Sequence, residues 1–265
     1  VLQNGMTASP RLFTSVAGAS GGGTTQAATL ASLAAGDDVL VATFTTGAQT
    51  ITGVSDGTNS YAKIGSVTST PGTAELWAAL NVAASAIPQT VTATWSATAA
   101  FASLWAADMR GLVTASLLDA NNTATGTSTI MTGPTITSAA VLEMQIALFV
   151  GAGKPLLVTP NTSGWIAWTN SAMHANGFGV AALQAPGVSN SVTWNQTSSS
   201  TYAVYAAALK ATAATTPVMG TNGQLTAPGN VQFATARRVV AVSPALPYPA
   251  VLGQVWPSSF GVSSP

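Results

Sequence analysis

The chain is 265 residues long, yet only 14 of them carry a formal charge, seven of each sign, beside one histidine (His174) and no cysteine. An average soluble domain is about a quarter charged, so about fifty of the charges that keep a monomer dispersed are missing, and a net charge of zero favours association over repulsion. The same counts exclude disulfides and thiolate or multi-histidine metal centres. They also exclude a basic nucleic-acid groove, because the seven basic residues are scattered and only Arg237 and Arg238 are adjacent.

The length accommodates one large all-β domain or two smaller ones. No run reaches the roughly 18 apolar residues of a membrane helix, and the longest candidate, residues 139–151, contains Glu143 and Gln145. The first five residues show neither the basic start nor the apolar stretch of a secretion leader, although a chain that starts at Val1 leaves room for one already removed.

Residues 1–28 read as an N-terminal arm and first strand: an apolar patch over 11–16 is followed by the loop-like Gly21-Gly22-Gly23. The glycines of 18–23 lack the lysine and the following helix that a phosphate loop requires. Residues 29–212 are strand-like, with β-branched and aromatic runs over 38–44, 50–54, 74–80 and 90–95 between turn signals. The Asp56-Gly57 pair marks a tight reversal. Residues 101–109 have helix propensity from alanine and leucine.

An internal repeat decides that last segment. Val91-Thr92-Ala93-Thr94-Trp95, a polar stretch and Phe101 to Arg110 are echoed by Ser191-Val192-Thr193-Trp194-Asn195, a polar stretch and Thr201 to Lys210. Residues 38–44 likewise parallel 140–149, and 74–81 parallel 177–184. The second copy of the ambiguous segment holds Tyr202, Val204 and Tyr205, so both copies are read as strands. The fold expected is an all-β jelly-roll β-sandwich built from two related halves, with residues 111–137 crossing between them.

These runs invite a resemblance. The segments Gly36-Asp37-Asp38-Val39-Leu40, Asp56-Gly57-Thr58-Asn59, Glu75-Leu76-Trp77 and Asp108-Met109-Arg110-Gly111 together resemble a concanavalin-like jelly-roll module of the kind found in structural proteins of tailed bacteriophages and in some bacterial surface proteins. The resemblance covers roughly residues 10–212. It implies a virion or surface role and carries no catalytic motif.

Candidate chemistry is sparse. Asp37-Asp38 is the only adjacent carboxylate pair, and its place at a strand entrance suits backbone capping better than acid–base work. Glu75 and Glu143 are read as charges guarding sheet edges. His174 has no nucleophile motif around it, and a serine-hydrolase triad is not assembled. Asp56 and Asn59 could hold calcium, but Asp-Gly-Thr-Asn is more simply a turn. Trp77, Trp95, Trp105 and Trp194 fall in repeat strands and are assigned to the core. Trp165 and Trp168 are the candidates for a sugar-stacking surface, though strand alternation sets them on opposite faces. Sequons begin at Asn121, Asn161 and Asn195, as chance allows in so Asn- and Thr-rich a chain.

Residues 213–265 form the third region, an extended proline-rich assembly arm. It holds half of the fourteen prolines, with Pro244, Pro247, Pro249 and Pro257 in close succession. Extended, it reaches about 170–190 Å. The residues expected to make subunit contacts are Arg237, Arg238, Val240, Tyr248, Trp256 and Phe260. The expected function is a non-enzymatic structural virion protein of a tailed phage, a capsid decoration or cement protein on the capsid surface. Its partners are copies of itself, a trimer among the options, and a major capsid or other virion protein. No cofactor, metal, nucleic acid or membrane is called for. The alternatives are a carbohydrate-binding tail appendage or adhesin module using Trp165 and Trp168, and a self-assembling extracellular filament or surface-layer subunit.

Overall fold

The computed structural model describes residues 11–18, 21–139, 143–156, 159–169, 177–183, 189–212, 218–219 and 225–226. The described residues form strands and no helix. The chain divides into two units, Val1–Ala214 and Thr215–Pro265. In the second, β15 (Val218–Met219) pairs with β16 (Leu225–Thr226).

The first half of the larger unit contributes β1 (Arg11–Ala17), β2 (Gly21–Leu30), β3 (Asp38–Thr46), β4 (Ile51–Ser55), β5 (Ala62–Ser69), β6 (Gly72–Ala79) and β7 (Gln89–Arg110). They make one antiparallel sheet in the order β1-β7-β3-β6-β5, with β2 and β4 also bonded to β7. The 22 residues of β7 are the spine. Along one side run β1, with Arg11 opposite Arg110, and then β2, with Leu30 opposite Gln89. Along the other run β3, with Asp38 opposite Met109, and then β4, with Ser55 opposite Thr92.

The second half contributes β8 (Leu118–Thr132), β9 (Ile136–Thr137), β10 (Glu143–Gly151), β11 (Ile166–Ala167), β12 (Phe178–Leu183), β13 (Ser189–Asn190) and β14 (Thr193–Lys210). Its main sheet has the order β11-β12-β10-β14-β8. Placed beside the first sheet, the plan is the same: an opening edge strand, the closing spine strand, then the second, fourth and third strands in chain order. The all-β sandwich expected from the sequence is the fold observed. Its connectivity differs from an interleaved jelly roll, because strands from residues 11–110 form one sheet and strands from 118–210 the other. Residues 111–137, expected to be a crossing, instead hold the 15-residue β8.

The two sheets face each other over a core to which β3, β6 and β7 give Leu40, Phe44, Leu76, Trp105 and Met109, and β10, β12 and β14 give Ile146, Leu148, Phe178, Val180, Tyr205 and Leu209. Small side chains set between large ones let the layers interdigitate: Ala42, Ala78, Ala107, Ala182, Ala203 and Ala207 belong to this core. Phe44 stacks on Phe178 across it with ring centroids 5.5 Å apart.

Each spine strand also bends over the back of its own sheet. Val91, Ala93 and Trp95 from the first limb of β7 share a core with Leu104 and Ala106 from its second limb and with Val39 and Val41 of β3. Trp194 does the same against Phe149, Val204 and Ala206 in the second half. The bend sits at a bulge that recurs in both halves. Thr94 to Ala99 of β7 lie against Thr25 to Gly23 of β2, and Asn195 to Ser200 of β14 lie against Ile130 to Ser128 of β8. The polar stretches of the two repeat copies are these bulges. Because of the second layer, β3 and β10 are buried on both faces and lack alternation. The glycines 21–23 belong to β2 rather than to a loop and stand where its register breaks twice.

Candidate functional site

Seven of the fourteen charged residues gather at one end of the sandwich, where both spine strands stop. Asp37 ends the turn before β3 and Asp38 opens the strand, while Asp108 and Arg110 close β7. Arg110 is ion-paired with Asp37, whose other oxygen accepts the Ala34 amide at 2.7 Å. Asp38 accepts the amides of Asn81 at 3.1 Å and Leu112 at 3.0 Å. Burial nevertheless raises its carboxyl above the ordinary value, outweighing those bonds. Asp108 is hydrogen-bonded to Asp37 and pushed up to about 7, by burial first and then by the Asp37 charge.

The second half repeats the device beside it. Lys210 closes β14, opposite Glu143 in the ladder and 3.4 Å from Asp119. Its ammonium donates to the carbonyls of Ser116 and Leu118 at 3.0 and 3.1 Å. Asp119 accepts the Ala139 amide at 3.0 Å. That bond, with hydrogen bonds to Glu143 and Lys210, holds its carboxyl below the usual value. The two ends are tied by the Leu112–Ala211 bridge and by the Thr212 amide donating to the Gly111 carbonyl at 2.8 Å. Asp37, Asp38, Asp108 and Glu143 are all at most 5% exposed, and the bonds of the cluster lock strand ends and turns.

The other acidic residues have similar duties. Asp56 accepts the amides of Thr58 and Asn59 at 2.9 and 2.7 Å, the Asn59 side-chain amide at 2.8 Å and the Tyr61 hydroxyl at 3.1 Å. Burial works upward on its carboxyl, but these donors prevail and hold it below its ordinary value. Its oxygens face donors, which is the geometry of a turn and not of a calcium cradle. Among the described residues no group of three or more metal-ligating side chains is assembled. Glu75 and Glu143, expected at edges, lie on the interior strands β6 and β10. Glu75 is buried and bonds Lys63 at 2.9 Å and the Trp77 indole at 3.0 Å.

Trp165 and Trp168, the candidate sugar platform, are each 4% exposed. Trp168 enters the core between the sheets and Trp165 the core behind the second sheet, so they share no surface. Trp95, Trp105 and Trp194 are buried, and Trp77 packs part-buried against the core behind the first sheet. Arg237, Arg238, Val240, Tyr248, Trp256 and Phe260, proposed for subunit contact, lie outside the described residues, as does His174.

What the sandwich turns outward is hydroxyl-rich. A groove on the bent-over layer is lined by Thr52, Gly53, Ser55, Thr90, Thr92 and Thr94 with Asp56 at one end. Strand β8 exposes Thr123, Thr125, Thr127 and Thr129, and Ile130 beyond them is 45% exposed. Leu156, 57% exposed, donates its amide to Asn195, which lies opposite Ile130. Sequence reasoning passed over β8. Its signal was the every-second-residue threonine of 123–129, which is a strand pattern without an apolar face. Comparison with protein families, curated proteins and solved structures gives no match.

Proposed function

We propose that the chain is a structural subunit of a tailed-phage virion, a capsid decoration or cement protein that braces the shell through contacts with copies of itself and with the major capsid protein. The observation that carries this reading is the disposition of charge. The acidic residues are drawn into ion pairs and hydrogen bonds, all but Glu75 at turns and strand ends, while the long strand β8 shows threonines and no charge from Ala120 to Thr132. Such a surface associates readily and repels little. The sugar-binding alternative loses its platform, since Trp165 and Trp168 are interior.

Immunogold electron microscopy of virions assembled with a tagged copy of the chain tests the reading. Label over the capsid is expected. Virions without label sink it, and polymers formed by the purified chain in the absence of any shell mark the filament reading instead. A chain lacking residues 213–265 is expected to keep its sandwich and lose particle binding; normal binding by that truncation removes the arm's assigned role.

A further inference from the structure

Strand β8 is an edge without the usual protections. Among the described residues it bonds a neighbour on one side only, β14. Natural sheets blunt such edges with charge, proline, bulges or short length, and the other edges here follow that practice. β5 carries Lys63 and a register break beside it, β1 and β2 are broken by bulges, β4 has five residues and β11 two. In β8 the register is unbroken from Ala120 to Ser128, and no charged residue or proline occurs between Ala120 and Thr132.

The sequence of the strand also says what it fits. The run Thr123-Ala124-Thr125-Gly126-Thr127-Ser128-Thr129 places a threonine at every second position, and Thr123, Thr125 and Thr127 are all exposed on one face. Read backwards, the pattern is nearly unchanged. Gly126 lies under the Tyr202 ring, with the hydroxyl 2.8 Å from where a Cβ would stand, so the other face of the strand is covered from within.

We propose that β8 pairs with β8 of a second copy, antiparallel about a two-fold axis through Thr125, so that two five-stranded sheets become one continuous sheet. Thr125 then faces Thr125, Thr123 faces Thr127, Ala124 faces Gly126, and Asn122 faces Ser128. Cross-strand threonine pairs hydrogen-bond and pack their methyl groups, the backbone of both edges is satisfied as in strand addition, and the contact is isologous and closes at two. This deepens the assembly reading by naming one of its interfaces.

Light scattering on the full-length chain, together with two charge variants and one cysteine variant, tests the pairing. The wild type is expected at twice the chain mass of 26.3 kDa. Thr125→Lys and Thr125→Glu, each folded by circular dichroism, are expected at once that mass, and their equal mixture at twice it, because opposite charges then meet at the axis. Thr125→Cys is expected to give a reducible dimer on oxidation; the chain has no other cysteine to confuse the result. A wild-type chain that stays single assigns the edge to a different protein and overturns the proposal, as does a trimeric mass or a dimer indifferent to Thr125→Lys. If a charge variant fails to fold, absence of the Thr125→Cys crosslink overturns it alone. A dimer broken at Thr125 in a chain that labels no virion keeps the pairing and sinks the virion reading; capsid labelling by a chain of single mass does the reverse.

Discussion

Trp105 and Trp168 stack with ring centroids 5.6 Å apart, and the Trp105 indole N–H donates to the Trp168 carbonyl at 2.7 Å inside the core. One residue belongs to the spine of the first sheet and the other to the segment after β11 in the second, so this pair both packs and hydrogen-bonds the halves together. Trp105→Phe keeps an aromatic ring but leaves the carbonyl without that donor. It is expected to lower unfolding stability by about 1–3 kcal/mol, and Trp105→Ala by about 3–5 kcal/mol, read from denaturant titrations.

Gly65 of β5 lies directly against the Tyr205 ring and hydroxyl, in contact with where a Cβ would be. Gly65→Ala is therefore expected to destabilise by about 1–3 kcal/mol through overpacking. The Tyr205 hydroxyl is buried with no hydrogen-bond partner among the described residues, and burial pushes it up to about 12. Tyr205→Phe should then be neutral or stabilising alone and should recover part of the Gly65→Ala loss, as a double-mutant cycle by thermal melting would reveal.

The charged end makes stability depend on pH with a definite sign. Asp108 holds its proton to about 7 when folded, against an ordinary value of 3.8. Between those values the folded chain binds more protons than the unfolded one, so stability falls as pH rises through that window. Asp56 and Asp119, held below 3.8, act oppositely and cost stability only in stronger acid. The Tm is expected to climb as pH drops from about 8 to about 5 and to decline below about 4. Asp108→Asn, which can donate to Asp37 at every pH, should flatten the upper slope and raise Tm at pH ~8 by a few degrees.

Asp56→Ala removes four hydrogen bonds from one turn. A loss of about 1–3 kcal/mol is expected, with faster amide exchange confined to Thr58 and Asn59. Calcium added to the wild type should leave its melting curve unmoved; a rise would restore the metal reading of the turn.

The strands that were legible in sequence are those with β-branched or aromatic runs, such as Val39-Leu40-Val41 and Val91-Thr92-Ala93. The alanine-rich segment 101–109 was assigned correctly only because its second copy contains Tyr202, Val204 and Tyr205. Strand β8 escaped because its exposed threonines alternate with Ala124, Gly126 and Ser128, small residues that give the covered face no apolar period. The bulges at 94–99 and 195–200 read only as polar stretches because Thr94, Ser96, Ala97 and Thr98 in one and Thr197, Ser198 and Ser199 in the other are exposed.

The charged locks were half visible. Asp37 and Asp38 declare themselves as a pair at a strand entrance, but Asp108 joins them only through a register that sets it opposite Val39. Glu75 was misplaced at an edge for the same reason: strand order in a sheet is a property of non-local pairing, which neighbouring residues along the chain do not encode.

The described part of the sandwich ends at Thr212, just past β14, whose second limb is laddered to β8 on one side and to β10 on the other. A load applied at Thr212 in line with that strand bears on bonds that run across it. From Tyr202 to Lys210 the rungs to β10 must shear together instead of opening one after another, and the Lys210 lock sits beside that point. A sandwich loaded at the end of β14 resists tension along that strand better than it resists peeling.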